Sequence, residues 1–237
     1  INSLIRAEDQ IDSPLKINAS LPFWIDEGRF LIGELSSKVD LNIQCYVECM
    51  EVNGYVIEPM AKLKRADLAG THLEDADLGG ATLWLADLEG TNLARANLRK
   101  ANLNGANVKG CDLRDACLVE ATLKRAKFNK ANLSGSDLSF STVDYNTHFI
   151  EANLSNSVLR NVKGQTNFTK ANLSCADLRN SQFGGSYFFN TNLKGSDFRK
   201  TNLKWAKFSG TGLETANFEQ ADLEHATFGP ISLGRTP

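Results

Sequence analysis

The sequence predicts an all-β solenoid, in which short extended segments coil around one axis. The first observation is a five-residue repeat that runs about 34 times through residues 61–230, almost without a break. The second is its pattern, which is a small residue, a polar residue, Leu or Phe, and then two variable positions. The third is the two-residue spacing of the apolar signals within a unit, which is a strand period and not a helical one. Helix-pair solenoids also need units of roughly 20 residues or more.

Each unit must therefore be a brief extended segment followed by a tight turn. The turn positions hold mostly Gly, Asn, Asp, Lys and Ser, which suit turns. When such segments close into a coil, the large apolar residue lies at the centre of a side and the small residue lies near a corner. Stacked coils then pair their backbones at about 4.8 Å, and this pairing satisfies the main-chain groups.

Several units follow the pattern A-(D/N)-L-x-x almost letter for letter. They are Ala66–Gly70, Ala76–Gly80, Ala86–Gly90, Ala106–Gly110 (with Val at the centre) and Ala131–Gly135. In these units residues 61–230 resemble the pentapeptide repeat family. The resemblance implies a right-handed quadrilateral β-helix with four units per coil. At 20 residues per coil, the repeats would form about 8.5 coils and a rod of roughly 40 Å.

The phenylalanines support this coil length independently of the family. Their positions in the sequence differ by one coil length or by a multiple of it, so they should stack ring over ring along one side of the rod. The predicted core stack consists of Phe128, Phe149, Phe168, Phe188, Phe208 and Phe228. Phe149 comes one residue late because the chain inserts a residue after Val143. The chain then has one residue fewer than the repeat requires after Leu159, so the stack resumes at Phe168.

Composition divides the chain near residue 60. Residues 1–60 carry a net charge of −6 and residues 61–237 carry +4. We predict a capping segment, or the remnant of a preceding module, at 1–60, the β-helix at 61–230 and a tail at 231–237. Within the first segment, Asn53-Gly54 predicts a β-hairpin over residues 49–58, because this pair favours the left-handed torsions of a two-residue turn.

The open end of a β-helix exposes backbone and core, so a cap is expected. The hairpin and the apolar stretch Leu21–Trp24 are the candidates for it. Trp84 and Leu85 face outward on the second coil, where apolar residues are out of place. We therefore expect the N-terminal segment to fold over them.

Five cysteines without a zinc-like spacing predict free thiols. Cys45 and Cys49 would lie roughly 13 Å apart on a strand, too far for a disulfide. Free thiols favour a reducing compartment, and we expect a cytoplasmic protein. A processed form in a lumen or periplasm stays open, because the chain begins at Ile1. No apolar run approaches the roughly 18 residues of a membrane span.

The sequence shows no catalytic, metal or cofactor constellation. His72, His148 and His225 lie on different coils, and none is at metal-ligand spacing from Cys, Asp or Glu. Nucleophile and phosphate-loop motifs do not occur. We therefore expect no enzyme, no metal and no cofactor. The predicted function is a non-catalytic scaffold that presents a rigid surface to a protein partner, as a monomer or an end-to-end homodimer.

A column of arginines is the first candidate for that surface. The coil length places Arg99, Arg160, Arg179 and Arg199 on one side. One interpretation is a groove for an acidic partner or a phosphate. The other is that Asp177 and Asp197 pair with the arginines and neutralise the column.

Two further candidates are the register slip and the outward aromatic residues. Tyr145 and His148 lie at the slip, where a bulge can direct side chains toward a ligand or simply reflect drift of the repeats. Tyr187, Phe189 and Trp205 are outward aromatics on neighbouring coils, and they form either a contact patch or isolated surface residues.

Three alternative functions stay open. The basic side of the rod could bind nucleic acid. The family resemblance implies another, since some pentapeptide repeat proteins resemble B-form DNA and modulate DNA gyrase. Such mimicry needs about one negative charge per 1.7 Å, or on the order of 24 charges over this rod, and the net +4 disfavours it. Finally, the chain could be the soluble part of a larger membrane-associated or effector protein.

Overall fold

The computed structural model describes Ile25–Asp26, Arg29–Phe30 and residues 50–229 of the 237-residue chain. The chain divides into two compact units, Ile1–Cys45 and Tyr46–Pro237. In the first unit, strand β1 (Ile25–Asp26) pairs antiparallel with β2 (Arg29–Phe30). The predicted cap stretch at 21–24, the thiols at positions 45 and 49, and the C-terminal tail lie outside the described residues.

From Ala61 onward the second unit is the predicted right-handed, four-sided β-helix. The polar residue of most units pairs in parallel with the residue 20 positions later, as in Lys62↔Thr82 and Thr82↔Asn102. The amide of Leu63 donates to the carbonyl of Thr82 at 2.9 Å, and equivalent bonds join the coils along the rod. We number the sides 1 to 4 by the central residues of the first coil, which are Leu63, Leu68, Leu73 and Leu78.

Most units form single bridges, and longer strands occur only late in the described rod. Strands β5 (Tyr187–Asn192), β6 (Lys207–Thr211) and β7 (Thr227–Phe228) make a parallel three-stranded sheet beginning on side 2. The register between β5 and β6 shifts after Phe188. A single turn of 3-10 helix, η1, spans Leu213–Thr215.

The predicted hairpin is confirmed. Strand β3 (Met50–Val52) pairs antiparallel with β4 (Tyr55–Ile57), and the turn residues Asn53 and Gly54 have φ angles of 53° and 77°. Ile57 is buried in the core, and Val52 and Tyr55 pack against it. The structural division at 45/46 thus groups the hairpin with the repeats, whereas the change in composition comes near residue 60.

The interior explains why the first position of a unit is so small. The central Leu and Phe side chains fill the tube, and the small residues are buried at its corners. Where the corner residue carries a hydroxyl, that group can donate to a backbone carbonyl. Thr91 Oγ1 donates to Leu68 O at 2.6 Å, and Ser136 Oγ donates to Leu133 O at 2.6 Å. These bonds satisfy buried polar atoms that would otherwise destabilise the core.

The phenylalanines on side 2 stack at the spacing that a 20-residue coil requires. Successive ring centroids are separated by 4.8 Å (Phe128–Phe149), 5.3 Å (Phe149–Phe168), 5.1 Å (Phe168–Phe188), 4.7 Å (Phe188–Phe208) and 5.0 Å (Phe208–Phe228). The rings lie within 20° of parallel, so each one packs on the next over its face. A second pair, Phe198 and Phe218, stacks on side 4 at 5.0 Å.

The register slip occurs as predicted. Lys127 pairs with His148, one residue later than the regular spacing, and His148 pairs with Asn167, one residue sooner than that spacing. The regular spacing returns at Asn167↔Tyr187. The extra residue forms a turn in which the amide of Thr147 donates to the carbonyl of Asp144 at 2.8 Å.

A second irregularity was missed by the sequence analysis. Asn192 pairs with Thr211, one residue sooner than the regular spacing, and Gly212 takes a left-handed φ of 83° before η1. Leu213 consequently leaves the central position that its place in the repeat predicts and is only partly buried. Gly212 was the available signal, since it stands at the second position of its unit, which usually holds a polar residue.

Candidate interaction surface

Metal ligands and cysteine thiols are the first chemical groups to consider in the described part of the chain. Among residues 50–229 and the β1–β2 pair, no group of three or more His, Cys, Asp or Glu side chains is placed to hold a metal ion. The described cysteines, Cys111, Cys117 and Cys175, are free thiols. Burial raises the pKa of Cys111 to about 12, which keeps that thiol protonated and unreactive.

The arginines of side 4 are held by carboxylates. Arg179 donates to both oxygens of Asp177, at 2.9 and 2.8 Å, and Arg160 Nε donates to the same carboxylate at 2.5 Å. Arg199 binds both oxygens of Asp197 in the same way, with its shortest bond at 2.6 Å. Such paired hydrogen bonds fix both side chains along the outer surface of the rod.

The two carboxylates respond to this pairing. Partial burial would by itself raise the pKa of Asp177, but hydrogen bonds from Arg179 and Arg160 outweigh it and lower the pKa to about 2. Burial also opposes ionisation of Asp197, and the hydrogen bonds from Arg199 outweigh it, so the pKa of Asp197 falls below its ordinary value. Both aspartates are therefore ionised at neutral pH, and their two negative charges offset most of the charge on the three arginines beside them.

Two members of the arginine column lie at the ends of a shallow depression on side 4. Arg99 donates to Glu120 at 2.6 Å at one end, and Arg160 stands at the other. Between them Val119 and Ser139 have short side chains, which leaves a hollow of about 540 Å³. The structure thus brings Arg99 and Arg160 to one site, whereas Arg179 and Arg199 lie beyond it.

Phe140 lies at the edge of this depression and was missed by the sequence analysis. Its side chain is 56% exposed, and its backbone has a left-handed φ of 61°. The turn position that it occupies is normally filled by Gly or a polar residue. A large apolar residue there was the signal that could have identified it.

At the register slip, Tyr145 and His148 are separated by the turn. Tyr145 is 68% exposed, and His148 takes part in the backbone pairing of side 2. Asp144 holds the turn, because its carboxylate accepts hydrogen bonds from the amides of Arg125 and Asn146.

The outward aromatics of the later coils form two stacked pairs. Tyr187 and Phe189 stack on side 2 with centroids 5.6 Å apart, and Lys207 Nζ lies 5.6 Å from the centroid of the Tyr187 ring. Trp205 stacks on His225 at 4.1 Å, at the corner between sides 1 and 2. Trp205 remains 61% exposed.

Side 1 carries a second depression near the start of the rod, around Trp84 and Leu85. The ammonium of Lys64 lies 4.5 Å from the centroid of the Trp84 ring, and the Arg65 guanidinium lies 5.7 Å from it. The hollow measures about 380 Å³, and Lys124 stands among the residues that line its far side. The predicted cover over Trp84 and Leu85 falls on residues outside the described range.

Comparison with known families agrees with this architecture. A model described as pentapeptide repeats matches residues 61–83, 76–115 and 116–143, and one described as a pentapeptide repeat region matches 164–236. Together they match well over half of the chain. This chain belongs to the pentapeptide repeat family. No curated protein matches it.

Solved structures of other pentapeptide repeat proteins resemble it at low identity. QnrB1, a plasmid-mediated fluoroquinolone resistance protein, is 17% identical with a TM-score of 0.56, over 70% of this chain and 85% of QnrB1. HetL, involved in heterocyst differentiation regulation in the cyanobacterium Nostoc sp. strain PCC 7120, is 21% identical with a TM-score of 0.38, over 73% and 88% of the two chains. A protein from the Arabidopsis thaliana thylakoid lumen is 29% identical with a TM-score of 0.24, over 46% and 66%. Because the identity to QnrB1 is so low, that likeness extends to the fold and not to function.

Pentapeptide repeat proteins of this kind are generally non-catalytic repeat proteins, in keeping with a solenoid that has a filled interior. What distinguishes one pentapeptide repeat protein from another is therefore its outward side chains. Among the described residues there is no helix long and apolar enough to cross a membrane.

Proposed function

We propose that this pentapeptide repeat protein is a non-catalytic scaffold that binds a protein partner through outward side chains of the rod. One observation carries the proposal. Phe140, Tyr145 and Trp205 project from the surface with 56%, 68% and 61% of their area exposed. The core is complete without them, so these side chains stabilise the described rod very little, and their exposed area is available to a partner.

The place of two of these residues in the repeat supports the argument. Phe140 and Trp205 stand at the last position of their five-residue units, where the backbone is left-handed along most of the rod. Most units hold Gly or a polar residue at this position. Two large aromatic side chains there depart from that composition, and contact with another molecule accounts for them.

Rigid presentation is what the fold contributes to such binding. The coils are joined by hydrogen bonds along their length, so outward side chains keep fixed spacings of about 4.8 Å. A surface that is already ordered loses little conformational entropy when a partner binds. In this proposal one contact region consists of Arg99, Phe140 and Arg160. Its rigid border consists of Arg179 and Arg199, which are held by Asp177 and Asp197.

The remaining candidate contacts lie on sides 1 and 2. They are Tyr145, His148, Tyr187, Phe189 and Trp205. The paired arginines support a protein partner over nucleic acid. The net charge of +4 on residues 61–237 disfavours DNA mimicry, which needs a strongly negative rod.

Two further features of the proposal concern compartment and assembly. The free thiols of the described cysteines support a reducing compartment such as the cytoplasm. Phe228, in the last described coil, is 50% exposed and offers an apolar contact for an end-to-end homodimer. The alternative is a monomer, and sedimentation of the purified chain distinguishes the two.

Photo-crosslinking in cells tests the scaffold proposal. A benzophenone amino acid is placed at Phe140 or Tyr145, and in a control at Asn153, which lies within the hydrogen-bonded asparagines of side 3. We expect one discrete partner to be captured from the first two positions and not from Asn153. The purified partner should bind Phe140→Ser at least tenfold more weakly at unchanged melting temperature. Equal capture from all three positions, or substrate turnover by the purified chain, would contradict the proposal.

A further inference from the structure

The unpaired positive charge of the rod is concentrated on side 1. Six cationic side chains of this side are exposed over the first six coils, and none has a carboxylate oxygen within 4.0 Å among the described residues. They are Lys62, Lys64, Arg65, Lys124, Arg125 and Lys163. The arginines of side 4, which are more prominent in the sequence, are by contrast paired.

One carboxylate shares these coils of side 1 with the six cations. It belongs to Asp144, and its Oδ1 accepts hydrogen bonds from the amides of Arg125 and Asn146 and from the hydroxyl of Thr147. That oxygen is engaged within the turn and does not pair with a side-chain cation. This part of side 1 therefore presents a strongly positive surface, although the whole chain has a net charge of −2.

An apolar centre divides the positive surface into two groups. Trp84 and Leu85, on the second coil, lie between Lys64 and Arg65 on the first coil and Lys124 and Arg125 on the fourth. Leu85 is 40% exposed and lies over Gly105, where a β-carbon would come within 2.6 Å of Leu85 Cδ2. The absence of a side chain at Gly105 makes room for Leu85, and both residues line the hollow.

The spacing of the two cationic groups selects the shape of a ligand. Three coil spacings separate Lys64 and Arg65 from Lys124 and Arg125, or about 14 Å. An extended polypeptide advances about 3.4 Å per residue, so acidic residues four positions apart would meet both groups. A large apolar residue midway between them would lie over Trp84 and Leu85.

We propose that side 1 of the first four coils binds an extended acidic segment of a partner protein, lying along the rod axis. Its acidic side chains pair with the two cationic groups, and an apolar side chain between them enters the hollow. This proposal rests on the scaffold function, and it adds the face that binds and the chemistry of the bound segment. Charge complementarity of this kind speeds association and excludes basic partners.

Nucleic acid fits the same surface less well. A duplex presents phosphates on both edges of grooves roughly 6 and 12 Å wide, so it would reach around the corner to side 2. Asp67 and Asp87 are exposed there and would repel it. A single strand binds by stacking successive bases on several aromatic rings. Side 1 offers one ring at this level, which is too few for a stack of successive bases.

Selection from a random peptide library tests the proposal without assuming a sequence. The full-length protein is immobilised and used to select 12-residue peptides at low ionic strength. We expect enrichment of Asp or Glu about four positions apart with a large apolar residue between them. Lys124→Glu/Arg125→Glu should bind the selected peptides at least tenfold more weakly, and Leu85→Ser should weaken them severalfold.

Lys194→Glu/Lys200→Glu is the matched control, because it makes the same change in charge at exposed positions on sides 3 and 4. It should bind the peptides as the parent protein does. The proposal is overturned by selected peptides without acidic residues, by equal weakening in both double variants, or by tighter binding of DNA or anionic vesicles. It is also overturned if no peptide is selected, which is the result expected if the chain's own acidic residues 1–60 fold over Trp84 and Leu85. If a crosslinked partner binds Lys124→Glu/Arg125→Glu as tightly as it binds the parent protein, this inference is wrong and the proposed scaffold function still stands.

Discussion

At the scale of single residues, the rod is sensitive where the repeat is interrupted. Gly164 follows the point at which the chain loses one residue, and its φ of 126° is unusual for any other amino acid. A β-carbon at this position would overlap the carbonyl group of Val143 in the preceding coil. The glycine thus allows two coils of unequal length to keep their normal separation.

Gly164→Ala should therefore lower the free energy of unfolding by about 3 kcal/mol or more, because backbone atoms must move apart. Gly90→Ala is the control, since Gly90 has a φ of 69° and no atom lies within 4 Å of the place that an added methyl group would take. Gly90→Ala should lower the free energy of unfolding by about 1 kcal/mol, because alanine is strained in the left-handed conformation. Urea unfolding followed by circular dichroism measures both. Equal losses would mean that crowding by Val143 does not matter.

Asp177 makes the rod sensitive to acid. Its pKa of about 2 lies below the ordinary value of 3.8, so ionised Asp177 stabilises the folded chain above that value, and the contribution is lost as the pH falls toward 2. Asp177→Asn should lower the melting temperature at pH 7 and flatten its decline between about pH 5 and pH 2. Calorimetry across that range checks this. A decline as steep as that of the parent protein would assign the acid sensitivity to other groups.

At the scale of elements, the column of stacked rings on side 2 is the most regular part of the core. Phe188 lies between Phe168 and Phe208, with centroid distances of 5.1 and 4.7 Å. The same side holds Leu68 and Leu88 in earlier coils, so the backbone accepts either residue at the centre of a side. The column therefore contributes packing and does not determine the path of the chain.

Phe188→Ala should lower the free energy of unfolding by about 3–5 kcal/mol, because it opens a cavity between two rings. Phe188→Leu should cost no more than about 1.5 kcal/mol, since leucine fills most of the space. Denaturant titration of both variants provides the comparison. If leucine were as damaging as alanine, ring stacking and not volume would hold the column together.

The elements also show how far sequence could predict this structure. Repeat period, hairpin and register slip were predictable because each leaves a local mark: five-residue spacing, Asn53-Gly54, and displaced Phe149. The 3-10 turn at Leu213 was harder to predict, because Leu213 is the residue type that the repeat requires at this position. The change lies in the left-handed backbone of Gly212 before it.

The candidate surface was less predictable for a different physical reason. The arginine column follows from coil length, but whether Arg179 faces a partner or Asp177 depends on side-chain conformations that spacing does not specify. Residues 61–237 carry a net charge of only +4, whereas function depends on how charge divides among the four sides of the rod. Phe140 could have been identified, because its turn position normally holds Gly or a polar residue.

At the scale of the whole molecule, folding depends on the backbone pairing between coils. The side on which a surface residue lies depends on the number of residues that precede it. Every unit offers the same backbone pairing to the coils above and below, and stability in such proteins is nearly a sum over neighbouring coils. Inserting one five-residue unit would therefore preserve the pairing but turn everything after it by one side. Inserting a complete coil would preserve the alignment of the sides and lengthen the rod by about 4.8 Å.

Duplicating residues 106–110 should leave the far-UV circular dichroism unchanged and shift the melting temperature by no more than about 5 °C, because the new junction still pairs strand with strand and apolar with apolar residues. It moves Lys124 and Arg125 from side 1 to side 2, so acidic peptides selected by the parent protein should lose at least tenfold in affinity. Duplicating residues 91–110 is the control that keeps both cationic groups on side 1. It should retain more of the binding than the single-unit insertion, although the groups lie one coil farther apart. Loss of folding in the single-unit variant would show that the side-chain columns, and not the backbone pairing, hold the coils in register.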